Sequence, residues 1–474
     1  MAVNDPSAKS NEVKALEAIL RLPQALIGGT TAMRTAGETF LPKEEAEKTK
    51  DYNSRVARSF LFGGFERTID ILTGEVFDKP MTLLEETPEE FTTLKDNIDL
   101  QGRNLTRFTR GLFLKALYNG VGLILVETPP LPVGDDGNPT TTTAAEDKKI
   151  GRRLYWVHIP ASQILGARTE NINGAMKITQ LRVVESVTVP KDEYTDITIN
   201  QVRVMEPGFW TTYRQYEKEG WVEHDSGTTG IDYIPVSPFH TGTHDSLLDV
   251  KPPLMGLAEL NQWHWISASD QNNILHFARV PILFGSALNT DDNGSVKISA
   301  RNLITSDDPA GDLKFVEHSG KAIGDGWKDL ERIEMLMSLW GLDLISDHRS
   351  GNVTATEKAI TGAKTGSFLN SVALDCQDAV NRAIEISCDI LKKPFAGGAV
   401  VNTEFNMVLG NFDVQTLLQA FKERLLDRVT VIDEFKRRGL VGEDVDPVDV
   451  IARLDIDSRS ASFGSIGAST LLGT

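Results

Sequence analysis

The sequence predicts an α+β protein, because helical and strand-like periodicities occupy separate parts of the chain. Apolar residues recur every three or four positions between residues 253 and 391 and again after residue 413, which indicates amphipathic helices. Between residues 121 and 225, short alternating runs are separated by Gly, Pro or Asn, which is typical of an antiparallel sheet. At 474 residues the chain is too long for one hydrophobic core, so we expect two to four domains or subdomains.

Composition limits the partners that the chain is expected to bind. The hydrophobic content of 40% and charged content of 24% are those of a globular protein, and the net charge is −18. Proteins that bind phosphates tightly by ion pairing are basic, so we expect no tight nucleic-acid binding. A negatively charged surface would nevertheless let nucleic acid pass without adhering. No run of 18 apolar residues occurs and no secretory signal opens the sequence, so no membrane association is expected.

The first half of the chain predicts an arm followed by an α+β body. A helix is expected at residues 13–22, followed by a flexible or packed-over stretch rich in Gly, Thr and Ala. Two helices are expected between residues 42 and 77 and another at 105–118, before the buried strand VGLILVET. Residues 129–153 contain almost no apolar residues and predict a mobile surface loop, after which the antiparallel sheet begins.

Three helices dominate the region from residue 253 to residue 391. The first, at 253–278, starts at a proline, which suits a first helical position, and ends before Pro281. The second, at 326–345, is expected to place its apolar residues on one stripe, namely Trp327, Leu330, Ile333, Met337, Trp340 and Leu344. The third, at 356–391, is very long and holds both cysteines, Cys376 and Cys388, which we expect to be buried and unpaired.

The first two helices predict a hairpin that carries a strand-rich insert at about residues 279–321. One hairpin hides only one face of each helix, so apolar residues such as Trp263, Trp265 and Phe277 are expected to meet neighbouring copies. The same pattern also fits two core helices of an ordinary globular domain. After the long helix, the run GGAVVNTEFNMVL predicts one or two strands that rejoin the body, and residues 413–455 predict a helical group.

No motif in the sequence supports catalysis or cofactor binding. There is no P-loop, no Cys-x-x-Cys, no His-Glu-x-x-His and no Gly-x-Ser-x-Gly motif. His240 and His244 lie four residues apart, with Asp245 and Asp249 following, and on a helix that spacing could form a ligand pair. The surrounding FHTGTHDSLLD composition favours a solvated loop instead. We therefore expect no enzyme activity, no metal and no cofactor.

Several segments, taken in order, resemble the portal proteins of tailed bacteriophages. The resemblance is strongest in LKFVEHSGKAIGDGWKDLERIEMLMSLWGLDLI and in TATEKAITGAKTGSFLNSVALDCQDAVNRAIEI. It is fainter in DYNSRVARSFLFGGFERTIDILTGEVFDKP, NIDLQGRNLTRFTRGLFLKALYNGVGLILVETPP and FARVPILFGSA. These are loose patterns over about 350 residues, in which the order of segments carries more weight than any single residue.

The resemblance implies a portal-type architecture with an α+β wing, a two-helix stem, a small β-containing clip, a long kinked helix and a helical crown. Its parts would be an N-terminal arm at 1–41, the wing at 42–252, stem helices at 253–278 and 323–345, the clip at 279–322, a tunnel loop at 346–357, the long helix and wing return at 358–412, and the crown and tail at 413–474. Gly362 and Gly366 would allow the kink near the start of the long helix.

The resemblance also implies a function and partners. The chain would form a dodecameric ring at one vertex of a virion capsid, after assembly in the host cytoplasm. Double-stranded DNA would pass through the ring during packaging and ejection, with weak and non-specific contact. The terminase large subunit, a head–tail adaptor and the major capsid protein would be its other partners.

Three groups of candidate site residues follow. The tunnel loop would touch DNA through His348, Arg349, Ser350, Asn352 and Thr354, although Arg349 could instead pair with Asp343 or Asp347. The subunit interface would contain Trp263, Trp327, Leu330, Met337 and Trp340. The terminase- and adaptor-binding surface would lie at the polar turns of the clip, with Asn289, Asp291, Asn293, Asp307 and Asp308.

Two alternatives remain open at the level of the sequence. One is a cytoplasmic α+β hydrolase that uses paired acidic residues and would be a monomer or dimer with a concave pocket. The other is a different virion structural protein, such as a capsid or adaptor subunit.

Overall fold

The computed structural model describes most of the chain, in segments. These are residues 5–129, 146, 149–216, 220–279, 282–289, 305–316, 321–342, 355–403, 411–423, 425–437, 441–442 and 445–453. At residues 282, 321–322, 341–342, 355–367, 411–416 and 437 the backbone alone is described. The chain divides into two compact units, residues 1–403 and 404–474.

The first unit opens with helices. They are α1 (Asn11–Ile27), α2 (Gly29–Ala36), α3 (Thr49–Arg58), α4 (Gly64–Val76) and, after the short strand β1 (Thr82–Leu83), α5 (Glu90–Leu94) and α6 (Leu105–Asn119). The side chain of Ser10 accepts a hydrogen bond from Val13 N at 3.2 Å and thereby caps α1. The helix predicted at 13–22 is therefore confirmed but longer. The stretch after it, predicted to be flexible or packed over, contains α2, with Met33 fully buried.

Two sheets follow. Their strands are β2 (Val121–Glu127), β3 (Tyr155–Pro160), β4 (Ile164–Ile172), β5 (Ala175–Pro190), β6 (Asp196–Glu206), β7 (Phe209–Tyr216), β8 (Gly220–Thr228) and β9 (Val236–His240), followed by the small hairpin β10 (Thr243–His244) and β11 (Val250–Lys251). The first sheet has the order β3-β2-β9, and the second is an antiparallel meander β4-β5-β6-β7-β8. The predicted antiparallel sheet is confirmed.

Helix α6 and strand β2 show how local sequence produces the body. Asn104 caps α6 by accepting a hydrogen bond from Arg107 N at 2.8 Å. Gly120 ends the helix in a left-handed conformation, with φ of 77°, that favours glycine. The apolar run that follows becomes β2, the central strand of its sheet, and it is buried along almost its whole length. Both elements match the prediction closely.

The central region forms the predicted hairpin and long helix. Its elements are α7 (Met255–Ala278), β12 (Ile282–Ser286), β13 (Asp312–Val316), α8 (Lys321–Met337), a π-helical turn (Ser338–Leu342), α9 (Ala355–Leu391) and β14 (Ala399–Val400). Strands β12 and β13 pair with each other in an antiparallel ribbon. Strand β14 pairs with β1, so the chain rejoins the body after α9 as predicted.

Helix α9 packs on the three-stranded sheet. The Ser237 hydroxyl on β9 donates to the carbonyl of Ala379 at 2.7 Å, and Trp156 on β3 contacts Ser387. Cys376 and Cys388 are free and buried, as expected. The main core lies between α1 and the two sheets; it contains Val13, Leu16, Leu20, Leu123, Leu125, Leu181, Val183 and Met205. The α+β prediction is confirmed, whereas the division into wing, stem, clip and crown stays a prediction.

The second unit is described by its helices. These are α10 (Asn411–Lys422) and α11 (Arg428–Arg437), with a further helical segment at 447–453. The predicted terminal helical group is thus confirmed in its described part. Among the described residues, no helix is both long and apolar enough to cross a bilayer.

Candidate assembly interface

Helix α7 is fastened to the turn that joins α3 and α4. The side chain of Asn261 is fully buried; its Oδ1 accepts from Phe65 N and its Nδ2 donates to the carbonyl of Phe62, both at 2.9 Å. About two turns further along α7, the Ser59 hydroxyl donates to the hydroxyl of Ser269 at 2.8 Å. These two hydrogen bonds satisfy two buried backbone groups and hold α7 at a defined position on the body. The hairpin therefore starts from a fixed place.

A row of polar contacts then sets the register between α7 and α8. Gln271 Nε2 donates to the carbonyl of Ile323 at 2.8 Å, and the Ser267 hydroxyl donates to Asp329 Oδ2 at 3.1 Å. Nearer the body, His264 Nε2 lies 3.3 Å from Glu334 Oε1. As residue numbers rise along α7, the numbers of the partner residues on α8 fall, so the hairpin is antiparallel. All three contacts are consistent with one register of the two helices.

The base of the hairpin is closed by the π-helical turn. A Cβ atom added at Gly256 would lie 2.5 Å from Cζ3 of Trp340, so the indole lies directly on the first turn of α7. A Cβ atom at Gly64 would lie 2.6 Å from Cε of Met337. Both side chains therefore depend on a neighbouring glycine for their position, and π-helical turns are frequent at functional sites.

The face of α8 turned away from α7 exposes three large apolar side chains beside the charged Lys328, Glu331 and Arg332. Trp327, Met335 and Leu339 are 49%, 53% and 62% exposed. They lie eight and four residues apart, with Glu331 completing the i, i+4 series, so they share one side of the helix. We call these three residues the outer stripe of α8, although Leu339 belongs to the π-helical turn that continues the helix. On α7, Trp263 and Phe277 are also exposed, at 41% and 65%.

The structure divides the predicted interface residues into two groups. Trp263, Trp327 and Trp340 are exposed, whereas Leu330 and Met337 are 4% and 0% exposed. Leu330, Met337 and Ile333 form the inner face of α8 and pack within the chain, so they are not available to a neighbouring copy. Trp265, expected to meet another copy, is fully buried as well.

The prediction placed the residues of α8 on a single stripe, and two stripes are present. Met335 and Leu339 were missed. The signal that could have found them is the strict four-residue spacing from Trp327, which defines a second face.

Arg332 of α8 contacts Trp263 of α7 at the exposed surface of the hairpin. The guanidinium carbon of Arg332 lies 4.8 Å from the centroid of the Trp263 ring, and Arg332 Nη2 lies 3.0 Å from Asp329 Oδ1. Arg332 therefore covers one face of Trp263 and bridges the two helices. This leaves part of Trp263 and about half of the surface of each side chain in the outer stripe of α8 exposed.

The ribbon at the far end of the hairpin is also exposed. Phe284 and Phe315 are 48% and 65% exposed, and Lys314 Nζ lies 5.8 Å from the centroid of the Phe284 ring. Asn289 and Asp307 are joined, because Asn289 Oδ1 accepts from Asp307 N at 3.2 Å. Asn289, Asp307 and Asp308 are all exposed, as a contact surface requires.

Other predicted residues fall outside the described part of the chain. In the clip these are Asp291 and Asn293. In the tunnel loop they are all five candidates, His348, Arg349, Ser350, Asn352 and Thr354. Asp343 and Asp347, the alternative partners of Arg349, lie there too. Their roles remain predictions.

The pair His240 and His244 is brought together by the small hairpin. The two rings stack with centroids 4.1 Å apart, and burial lowers the pKa of His240. Among the described residues, no group of three or more His, Cys, Asp or Glu side chains is arranged to hold a metal ion. His240 Nε2 lies 3.2 Å from the carbonyl of Leu247, and His244 is exposed.

A shallow cavity of about 360 Å³ lies on the five-stranded sheet. Its polar lining includes two carboxylates, Asp5 and Glu206, each occupied by a local hydrogen bond. Asp5 accepts from Ser7 N at 2.9 Å and Glu206 accepts from Gln180 Nε2 at 2.9 Å. Each of these two hydrogen bonds stabilises the structure around its carboxylate.

Comparison with known proteins gives one family match, over part of the chain. Residues 253–390, which contain the hairpin, the ribbon and most of α9, match a family model described as a domain of unknown function, DUF4055. No curated protein matches the sequence.

Among solved structures, the chain is similar to the neck of an empty GTA particle computed with C6 symmetry, at 10% identity and a TM-score of 0.43, over 80% of this chain and 90% of that one. It is also similar to the neck of a native GTA particle computed with C12 symmetry, at 10% identity and a TM-score of 0.41, over 80% and 89%. TM-scores of this size do not establish a shared fold.

Proposed function

We propose that this chain is a structural subunit of a phage-like virion and forms a closed ring, the portal, at one vertex of the capsid. The observation that carries the proposal is the hairpin of α7 and α8. It is fixed to the body by Asn261 and held in register by three polar contacts, yet it exposes Trp263, Trp340 and the outer stripe of α8.

A ring accounts for both properties of this hairpin. In a head-to-tail ring every copy offers two different faces, so the outer stripe of one hairpin can pack on another surface of the next. Full burial of a Trp, Met or Leu side chain contributes on the order of 1.5–3 kcal/mol. The polar register contacts would keep the apolar face in place before a neighbour arrives, which lowers the cost of association.

The sequence resemblance supports the finer part of the proposal. The ring would have twelve copies and surround a channel for double-stranded DNA. With −18 on each chain, its wall would carry roughly −200 charges, so DNA would slide and not adhere. The tunnel loop would provide the light contact, with Arg349 as its one firm cation.

The proposed role is mechanical, and the energy for DNA movement would come from a terminase large subunit. The exposed ribbon and its polar turns, with Asn289, Asp307 and Asp308, would dock the terminase and later the adaptor. The α+β body would meet the major capsid protein. Hydrolysis of ATP by the purified chain, surviving stringent purification, would contradict a purely structural role.

The test is the oligomeric state of the purified chain. Native mass spectrometry and projection images along the symmetry axis are expected to show a ring. Met335→Asp places a charge in the outer stripe and should reduce the ring to small species. Met176→Asp is the matched control, because Met176 is 67% exposed on β5, away from the hairpin, and the ring should persist. A wild-type chain that stays monomeric at every concentration would end the proposal, and a stable dimer would favour the hydrolase alternative.

A further inference from the structure

Helix α6 carries a basic surface on an acidic protein. Residues 101–126 contain four cations, Arg103, Arg107, Arg110 and Lys115, and no Asp or Glu. The whole chain has a net charge of −18, so the remainder carries −22. This stretch is therefore a local reversal of sign, which distinguishes it from an ordinary solvated face of mixed charge.

Three of the four cations are unneutralised. Arg103 Nε pairs with Asp99, a carboxylate that is itself almost fully buried. Arg107, Arg110 and Lys115 are exposed, and none of them has an ion pair with another described residue. Arg107 and Arg110 lie one turn apart near the amino end of α6, where the helix dipole adds positive potential. We call Arg107, Arg110 and Lys115 the basic face of α6.

The pKa of a buried histidine beneath the helix is affected by the same positive charges. His158 on β3 is deeply buried and its Nε2 has no hydrogen-bond partner. Burial lowers the pKa of His158 to about 3, and the positive charges of Lys115 and Arg103 add to the effect. The side chain is therefore neutral at physiological pH, and it adds no positive charge of its own beside the basic face.

The complementary feature is an acidic arm formed by β5 and β6. Residues 184–190 of β5 extend past β4, because the pairing of β5 with β4 ends at Val183. Residues 196–200 of β6 extend past β7, because the pairing of β6 with β7 ends at Gln201, and they pair with residues 186–190 of β5. We call residues 184–200 the β5–β6 arm. Seven residues of strand span about 20 Å, so the arm projects well beyond the five-stranded sheet.

The tip of the arm is ordered and presents acids around an aromatic ring. Asp192 Oδ1 accepts from Tyr194 N at 3.0 Å and from Thr195 N at 2.9 Å, which holds the turn. Tyr194 is 87% exposed, and its hydroxyl donates to Glu193 Oε1 at 2.7 Å. Asp196 completes three carboxylates against a single cation, Lys191.

One face of the arm is apolar and partly exposed in the part of the chain that the structure describes. Val187 pairs with Ile199 and Val189 with Ile197, so these four side chains lie on the same face, and all are at least partly exposed. The opposite face carries Ser186, Thr188, Thr198 and Asn200. A two-stranded ribbon is marginally stable alone, so a surface that covers the apolar face would stabilise the arm.

We infer that the tip of the β5–β6 arm of one copy docks on the basic face of α6 of a second copy. This inference rests on the proposed ring, because the two surfaces that meet at a head-to-tail interface are different parts of the chain. Glu193 and Asp196 would pair with Arg107 and Arg110, and the Tyr194 ring would lie against a guanidinium. Twelve chains of like charge would otherwise repel one another, and this contact places a basic surface against acids.

The first test is a zero-length cross-link. Full-length chains labelled with 14N and with 15N are mixed, assembled and treated with a carbodiimide, which couples a lysine amine to a carboxylate. Because carbodiimide does not couple a guanidinium, the chains carry Arg107→Lys. We expect the introduced amine to couple to Glu193 or Asp196, with about half of the cross-linked peptides carrying mixed isotopes. Coupling found only within one isotope would mean that the contact is intramolecular, and a ring without any such coupling would overturn the inference.

The second test is a charge swap. Arg107→Glu with Arg110→Glu is expected to weaken assembly at least about tenfold at low salt. Adding Glu193→Lys and Asp196→Lys should restore most of the loss. The control is Arg21→Glu with Arg67→Glu, which changes the net charge equally at exposed positions on α1 and α4. Equal weakening by the control would assign the effect to total charge and contradict the inference.

The outcomes separate the inference from the proposed function and from DNA binding. A wild-type chain that never oligomerises contradicts both the ring and the contact. A ring indifferent to the charge swap contradicts only the contact. If the Arg107 and Arg110 changes leave the ring intact but abolish salt-dependent binding of a 30-base-pair duplex, the basic face serves DNA and the second-copy inference is wrong.

Discussion

The indole nitrogen of Trp156 on β3 donates a hydrogen bond to the hydroxyl of Ser387 on α9, at 3.0 Å, with both residues buried. Ser387 in turn donates to the carbonyl of Ala383 at 2.7 Å. The hydroxyl therefore accepts from the sheet and donates to its own helix. This chain of two bonds ties the long helix to the body at the end nearest β14.

Ser387→Ala is expected to lower the free energy of unfolding by about 1–3 kcal/mol, because it leaves the Trp156 N–H buried without an acceptor. Urea denaturation measures the change. In a double-mutant cycle with Trp156→Phe, the second change should cost less in the Ser387→Ala background than alone. Strict additivity would show that the two residues do not interact in solution.

Asn261→Ala is expected to loosen the hairpin from the body. The change removes the partners of Phe65 N and the Phe62 carbonyl, and an unsatisfied buried polar group costs about 1–3 kcal/mol. Hydrogen exchange of the Phe65 amide should become faster. Asn273→Ala is the control, because Asn273 accepts only one hydrogen bond, from Arg58 at an exposed site, and its loss should change little.

Two helical glycines are expected to respond oppositely to alanine. At Gly74 in α4 nothing lies within 4 Å of an added Cβ, so Gly74→Ala should stabilise the protein by about 0.5–1 kcal/mol. At Gly256 the new Cβ would meet the Trp340 ring at 2.5 Å, so the indole must move. Gly256→Ala should therefore destabilise the protein and shift Trp fluorescence, and an unchanged spectrum would contradict the packing described.

The ion pair of Glu47 and Arg55 predicts a pH dependence. Glu47 Oε1 accepts from Arg55 Nε at 2.9 Å, and this hydrogen bond lowers the pKa of Glu47 below its ordinary value of 4.5. A carboxyl with a depressed folded pKa stabilises the protein above 4.5, and the contribution is lost as pH falls through the lower folded value.

Glu47→Gln should therefore reduce the urea midpoint most at neutral pH, and the difference from wild type should shrink below pH 4.5. Midpoints between pH 7 and pH 3 measure it. Glu45→Gln changes the same charge at an exposed position, so it should differ little from wild type throughout. A Glu47→Gln effect that grows on acidification would contradict the sign.

Elements with strong local signals were predictable from the sequence. The cap at Asn104, the left-handed Gly120 and the apolar run after it are enough to place α6 and β2. Helix α2 was missed because Gly29 and three threonines have low helix propensity, and tertiary packing of Met33 decides the structure there.

The candidate site was predictable in part, for a physical reason. Periodicity identifies that α8 has apolar positions, but it does not say which of two adjacent faces meets α7. That choice depends on contacts such as Ser267 with Asp329 and on the π-helical turn that places Trp340. Such contacts join residues distant in sequence, so Leu330 and Met337 could not be separated from Trp327 before the structure was known.

The pairing of Thr82 with Val400 has a consequence for synthesis of the chain. On the ribosome, β1 emerges early and its partner strand only after the hairpin, the ribbon and the long helix. Until then the N-terminal body keeps an open edge, which a strand from another nascent chain could occupy. Pairing of β1 with β14 is therefore a late step in folding. Truncated products that end before residue 399 lack β14 and should be prone to aggregate.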